Sequence, residues 1–343
     1  MATIKDIAKK LGISPATVSR ALNDFPEIKD ATKAKVKAMA DELGYRPNKS
    51  AQKLVSGKSH SVGIILKYAS AQTADPSLYE MMIGLSQYLA EKDLDLIFQV
   101  AVSEDEVSPY KRLLGKQSVD GFIISAPTRN DPRIEYLQQQ KVPFVVHGKG
   151  EYGDVDYAYY DIDNYAVGYD STRMLQQLGH ETIALINGPD GLAFSRDRRR
   201  GYIAAMEEAN GEYNEALISF GPVTESYAYQ TACQLLDSET PPTAFVCANT
   251  PSAAGVLSCL RDRKLRCPEG ISIIAHDDGY PGYNTEAFSP QLTVTCSPLR
   301  DACTPLADIM AKLENGEQPS DLQITQKADL ILRRSTGTAP TRK

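Results

Sequence analysis

Near the N-terminus, Ser14-Pro15-Ala16-Thr17-Val18-Ser19-Arg20 places a run of short side chains ahead of an arginine. A helix that enters the major groove of DNA, about 12 Å wide, needs small residues at its leading end so that its axis can approach the bases. Pro15 and Ala16 offer only apolar contact, as to a thymine methyl, whereas Arg20 can fork onto a guanine. Thr17, Ser19 and Asn23 carry groups suited to phosphates, which position a protein without reading sequence. Taken singly, Ser19 and Asn23 read better as solvated helix residues.

Contact with a polyanion also calls for positive charge. The 343 residues carry a net charge of -7, which taken whole speaks against such a partner. The charge is unevenly spread: residues 1–58 hold twelve Lys or Arg against six Asp or Glu, a net +6, so the remainder carries -13. A basic head on an acidic body suits a head that meets DNA and a body that does not. No stretch reaches the roughly 18 to 20 uninterrupted apolar residues of a membrane span, and the N-terminus lacks the apolar centre of a secretory signal. A cytoplasmic protein is expected.

Three short helices must hold the head. Ile4, Ile7, Ala8 and Leu11 share one helical face, and Gly12 ends that helix. Ser14 caps a second helix with Pro15 at its first position, and Val18, Ala21 and Leu22 form its buried face. A third is predicted from about Lys29 to Leu43, with Val36, Met39, Ala40 and Leu43 as its stripe and Gly44 as its stop. Beyond residue 60 the period changes. The apolar runs Val62–Leu66, Leu94–Val100, Gly121–Ile124 and Pro143–Val146 alternate with helical patterns such as Met82, Leu85 and Leu89, which predicts a parallel sheet with crossovers. A second unit opens near Asp161, with a helix over 165–178 and strands at Ile183–Ile186, Ala244–Cys247 and Ile271–Ala275. Leu292–Thr295 and Leu330–Leu332 read as late strands able to pass between the units.

The run Thr3-Ile4-Lys5-Asp6-Ile7-Ala8-Lys9-Lys10-Leu11-Gly12-Ile13-Ser14 and its continuation to Asn23 closely resemble the helix-turn-helix of the lactose-repressor and galactose-repressor (LacI/GalR) family. The resemblance continues through Tyr45-Arg46-Pro47-Asn48 and Ala51-Gln52-Lys53-Leu54, and through the body to about Ser335. It implies an N-terminal all-α helix-turn-helix head and an α/β body of two doubly wound parallel-sheet subdomains, like a periplasmic binding protein. The expected boundaries are 1–47 for the head, 48–60 for a hinge, 61–160 with 291–320 for one subdomain, 161–290 with 321–335 for the other, and 336–343 as a tail. The function implied is a DNA-binding transcription regulator, a repressor first, acting as a homodimer on a pseudo-palindromic double-stranded operator. Thr3, Ser14, Pro15, Ala16, Thr17, Ser19, Arg20, Asn23, Tyr45, Asn48, Ala51 and Leu54 would face the DNA. Leu54 would wedge into the minor groove from a hinge too short and polar to be helical alone.

For the body, the resemblance implies an effector held between the subdomains. Asp277, first acid of His276-Asp277-Asp278-Gly279, matches the family's effector-binding aspartate, and Arg198 in Arg198-Arg199-Arg200-Gly201 matches the arginine of its R-x-x-G motif. Asn249 follows a third strand. A carboxylate, a guanidinium and an amide can bracket adjacent hydroxyls, so a mono- or disaccharide is expected. A nucleobase effector, or sugar binding without regulation, stands as the alternative. Tyr79 and Phe194 read as stacking platforms or as core, Tyr157, Tyr159 and Tyr160 as lining of the crossing between units, and Ser125, His147 and Lys149 lie just past strand ends. Thr250-Pro251 after Asn249 and Val223 depart from the family pattern.

No cofactor or metal is implied. The chain holds no G-x-S-x-G, G-x-x-x-x-G-K or H-E-x-x-H motif, and its four histidines lie far apart in sequence, so catalysis is not expected. Six cysteines, all between 233 and 303 and without C-x-x-C spacing, read as reduced structural thiols.

Overall fold

The structure, a computed structural model, describes residues 2–45, 57–67, 76–101, 105–150 and 153–340; of Pro76, Ser77 and Asn210 only the backbone is described. Asn48, Ala51 and Leu54 of the expected hinge lie outside the described residues. The chain divides into two compact units, Met1–Ser59 and His60–Lys343.

Among the described residues, the head contains α1 (Ile4–Leu11), α2 (Pro15–Leu22) and α3 (Asp30–Glu42). Local chemistry sets their ends. The Thr3 backbone N–H and hydroxyl both donate to Asp6 Oδ2, Gly12 turns the chain at φ +64°, and Ser14 Oγ accepts the Thr17 N–H at 3.1 Å. Ile7, Ala8, Val18, Ala21, Val36 and Ala40 form a small dry core.

Among the described residues, the body contains two six-stranded sheets. The first comprises β1 (Ser61–Lys67), β2 (Asp95–Ala101), β3 (Gly121–Ser125), β4 (Phe144–His147), β5 (Ala158–Ile162) and β11 (Gln323–Gln326), in the order β11-β5-β4-β3-β1-β2. The second comprises β6 (Ile183–Asn187), β7 (Ile218–Phe220), β8 (Ala244–Cys247), β9 (Ser272–Asp277), β10 (Thr293–Cys296) and β12 (Asp329–Ile331), in the order β12-β10-β9-β8-β6-β7. All pairings are parallel except β10 with β12.

The strands are apolar on both faces because helices cover both faces. Alternate residues of β3 and β4 go to opposite sides: Ile123 and Val145 lie under α4 (Pro76–Ala90) and α11 (Cys303–Glu314), while Phe122, Ile124 and Val146 pack with Tyr110 and Leu137 of α5 (Ser108–Gly115) and α6 (Pro132–Gln139). In the second sheet, Phe245 and Ile273 face α9 (Glu225–Leu236) and α10 (Thr250–Asp262). Val246 and Ile274 face α7 (Asn164–Gln177) and α8 (Ala193–Asn210).

Four sequence expectations change. Residues 291–320 were expected wholly in the first subdomain, but β10 pairs with β9 from Thr293↔Ile274 to Cys296↔Asp277, so the chain crosses only after Cys296. It crosses again between β11, beside β5, and β12, beside β10. Residues 321–335 therefore divide between the sheets, because a single short strand in each completes an otherwise open edge. The expected tail is likewise pinned at 336–340: the Gly337 N–H donates to Ser272 Oγ, the Ala339 N–H donates to the Leu178 carbonyl, and buried His180 sits between Thr243, Ser272 and Gly337. Finally, Cys233 and Cys259 are joined as a disulfide between α9 and α10, while Cys247, Cys267, Cys296 and Cys303 are free thiols.

Candidate ligand cleft and nucleic-acid interface

In the head, the helical period alone decides which residues face outward. Thr3, Ser14, Pro15, Ala16, Arg20 and Asn23 are exposed, and Thr17, Ser19 and Tyr45 half-buried. Not all are equally available. Ser14 and Thr17 share a hydrogen bond between hydroxyls at 2.8 Å, and Asn23 Nδ2 donates to the Ser19 carbonyl. Lys37 pairs with Asp24 at 2.9 Å and holds its carboxyl below the usual range. The outward surface of α2 thus carries two small apolar residues and one guanidinium.

In the body, strand ends of both sheets converge on a cavity of about 500 Å³. Ser125 ends β3, His147 ends β4 and Lys149 follows it; Arg198 and Phe194 come from α8, and Asn249 follows β8; all six line the cavity. The halves also meet directly, for the Ala193 N–H, first in α8, donates to the Pro127 carbonyl at 3.1 Å.

Two helices place the arginine. A Cβ on Gly201 would lie 2.0 Å from the Tyr165 carbonyl oxygen, and one on Gly168 would lie 2.1 Å from that of Arg198. Only glycine at both positions lets α7 and α8 touch backbone to backbone, which explains the glycine of the R-x-x-G motif. Arg198 is 7% exposed. Its Nε donates to Asn164 Oδ1 at 2.9 Å, its Nη1 to the Ala248 carbonyl at 2.7 Å, and its guanidinium lies 5.1 Å from the centre of the Phe194 ring. Burial lowers its pKa to about 10, against the opposing pull of Asp278 and Asp161. A buried cation held in this way is positioned before any ligand arrives.

Asp277 and Tyr79 do not join the cavity. β9 ends at Asp277, and His276, one residue earlier, faces the cavity; alternation turns Asp277 away and brings Asp278 back. Asp277 Oδ1 instead accepts the Gly279 N–H, and Oδ2 the Thr285 hydroxyl, in a shallow surface depression. Of these two adjacent acids, Asp278 is the one that lines the cavity. Tyr79 is 70% exposed on α4, where its neighbour Leu78 lines the cavity, because one helical step rotates a side chain by about 100°. Asn249 lines the wall, but its Oδ1 caps α10 through Ser252 and its Nδ2 donates to the Val223 carbonyl. Lys149 directs its ammonium over the Tyr159 ring, 5.3 Å from the centroid.

Sequence reading missed Asp161, Asn164 and Arg133, all in the cavity wall. Asn164 joins Asp161 to Arg198. Arg133 forks onto buried Asp131 and reaches the Ser125 and Ala126 carbonyls, fixing the end of β3. A polar residue directly after an apolar run was the signal available for Asp161; Arg133, in the first turn of α6, offered none. Burial pushes His147 down to about 4 and His276 well below its ordinary value, so both imidazoles are neutral at pH 7.

Clefts at the carboxyl ends of parallel strands are where α/β folds bind ligands; no group of metal ligands occurs among the described residues. Residues 3–48 match the family described as bacterial regulatory proteins, lacI family. Residues 59–333 match periplasmic binding proteins and sugar binding domain of LacI family. The chain belongs to the LacI family. This LacI-family chain is 40% identical over 341 residues to the HTH-type transcriptional regulator AglR of Rhizobium meliloti (strain 1021), covering 99% of the chain and 95% of that relative. The transcriptional regulator CelR-cellobiose complex shares its fold at a TM-score of 0.72 and 26% identity, covering 98% of this chain and all of that one. The lac repressor dimer bound to operator and the anti-inducer ONPF is alike in fold, with a TM-score of 0.81 at 21% identity, over 98% and 99% of the two chains. As a LacI-family member the protein is a helix-turn-helix regulator of transcription, not an enzyme. No helix among the described residues is long and apolar enough to cross a membrane.

Proposed function

We propose that this regulator binds a pseudo-palindromic operator as a homodimer and is controlled by a neutral sugar of disaccharide size enclosed in the body cavity. One observation carries the effector reading: both halves of the body contribute to one cavity, with a preformed buried guanidinium, Arg198, and the carboxylates Asp161 and Asp278 in its wall. Cations and carboxylates bracket the vicinal hydroxyls of a sugar, and the volume lies in the ~300 to 1,000 Å³ range of pockets that enclose drug-sized molecules. The cellobiose bound by the CelR relative supports the same class. A ligand touching both halves shifts their arrangement by its differential affinity, and a coupling of about 1 to 3 kcal/mol changes operator affinity roughly 5- to 150-fold.

For DNA, the proposal assigns Pro15, Ala16 and Arg20 to the bases, and Thr3, Ser14, Thr17, Ser19, Asn23 and Tyr45 to phosphates and positioning. Asn48, Ala51 and Leu54 stay with the DNA, Leu54 in the minor groove, as the family resemblance has them. Acting on DNA puts the protein in the cytoplasm. Tyr79 moves from the effector site to a pairing surface: with Ile83 of α4 and Phe98 and Val100 of the edge strand β2 it is among the exposed large apolar residues, and two copies joined there would bury an edge that is otherwise open.

Thermal unfolding in the presence of glucose, galactose, sucrose, maltose, cellobiose, lactose and melibiose tests the effector class, since a bound ligand raises Tm by mass action. A rise with at least one disaccharide is expected; no shift with any of them rejects the sugar. Selection of binding sites from random DNA should return inverted repeats, with affinity that falls steeply as salt rises.

A further inference from the structure

Asp161 is the last residue but one of β5 and lies in the cavity wall. Its Oδ1 accepts from the Ile162 N–H at 2.8 Å and from Asn164 Nδ2 at 3.2 Å. Asn164 Oδ1 accepts in turn from Arg198 Nε. One amide therefore orients both the carboxylate and the guanidinium, and two carboxylate oxygens with about four lone-pair sites keep acceptor capacity beyond the Ile162, Asn164 and Lys149 donors.

We propose that Asp161 determines effector specificity by accepting a hydroxyl hydrogen of the bound sugar, and that this contact makes effector affinity rise with pH. The inference rests on the sugar reading above. The charged and titratable groups around Asp161 are Tyr160 on its own strand, His147 and Lys149 at the end of β4, Asp197 and Arg198 of α8, His276 and Asp278 at the end of β9, and Asp301. Burial raises Asp161 to about 7; Asp197 adds to the rise, while the Ile162 and Lys149 N–H groups and Arg198 oppose it. His147 and His276 stay neutral above pH 6, and Tyr160, raised by burial, stays neutral below pH 8. Asp197 is itself raised by burial and held by Arg196 and Arg200 outside the cavity wall.

A carboxyl half-ionised at pH 7 is roughly one-tenth ionised at pH 6 and nine-tenths at pH 8. When only the ionised form accepts the hydroxyl hydrogen, apparent affinity follows that fraction and rises about tenfold over this range. Calorimetric titration of the full chain with sucrose, maltose, cellobiose and melibiose at pH 6, 7 and 8 reads the effect. The expected result is a disaccharide bound about tenfold more tightly at pH 8 than at pH 6, releasing about half a proton at pH 7, and bound by Asp161→Asn with the same affinity at each pH. The wild-type proton release decides the matter should the variant fail to fold. Equal wild-type affinity at pH 6 and 8, or a pH dependence that survives in Asp161→Asn, overturns the role of Asp161 and leaves the sugar reading standing. No binding by any of the four at any pH overturns both.

Discussion

The head and the cavity place their chemistry in opposite ways. In the head, the outward residues of α2 follow one another in sequence, and a cap and a helical period suffice to present them. In the cavity, Asp161, Arg198, Asn249 and Asp278 come from four segments spread over more than a hundred residues, brought to one wall only by folding. A surface built from one element tolerates error elsewhere in the molecule. A site assembled from many is as precise as its least supported contact.

The sharpest way to break this comparison is to part the helices behind the arginine. Gly201→Ala places a methyl 2.0 Å from the Tyr165 carbonyl oxygen, and neither backbone can yield without moving Arg198. A loss of about 3 kcal/mol or more is expected, at the upper end of overpacking effects. Thermal unfolding should show the body melting earlier while the head's operator contacts stay chemically intact; an unchanged Tm means that α7 and α8 are not locked there.

Next in size is the choice between adjacent acids. Asp278→Asn should weaken sugar binding by about 1.5 to 3 kcal/mol, roughly 10- to 150-fold, the range for a hydrogen bond to a charged group. Asp277→Asn, outside the cavity, should leave it within about twofold. Calorimetry with whichever sugar raises Tm compares the two, and the reverse order would return Asp277 to the site.

Acid provides a third test. His147 has a folded pKa of about 4, below the ordinary 6.5, so the stability linked to its neutral form is complete above pH 6.5 and disappears as pH falls toward 4. The Tm of the body should drop over that window, and His147→Gln should flatten the drop. The smallest effect belongs to the head: Ser14→Ala removes the cap of α2 and costs about 1 kcal/mol. Operator affinity should fall with sugar affinity unchanged, and a change in both would show that the head is not energetically local.

What could be read in advance follows the same division. Ile4, Ile7, Ala8 and Leu11 announce α1 because burial on one side of a helix imposes its period, and Val62–Leu66 or Ile183–Ile186 announce strands because a sheet covered on both faces imposes continuous apolar runs. Gln323–Gln326 announces nothing. It is a polar edge strand, with Ile324 40% exposed, whose pairing with β5 depends on a partner some 160 residues away in sequence. Tyr159 and Tyr160 read as a crossing for a related reason: their strand mixes aromatics with an acid, and its position inside the first sheet is supplied by β4 and β11.

By itself the sequence determined the basic head with its capped helices, the two parallel-sheet halves, and the strand ends where a ligand would be held, because each depends on the period and type of residues close together in the chain. Tertiary structure alone decided that Asp278 rather than Asp277 meets the cavity, that Leu78 rather than Tyr79 lines it, that Asn249 Nδ2 is tied to the Val223 carbonyl, and that Asn164 ties Asp161 to Arg198. Side-chain direction at a strand end turns on the last residue that still pairs, and a buried carboxylate takes its character from groups that only the folded chain brings within hydrogen-bond reach.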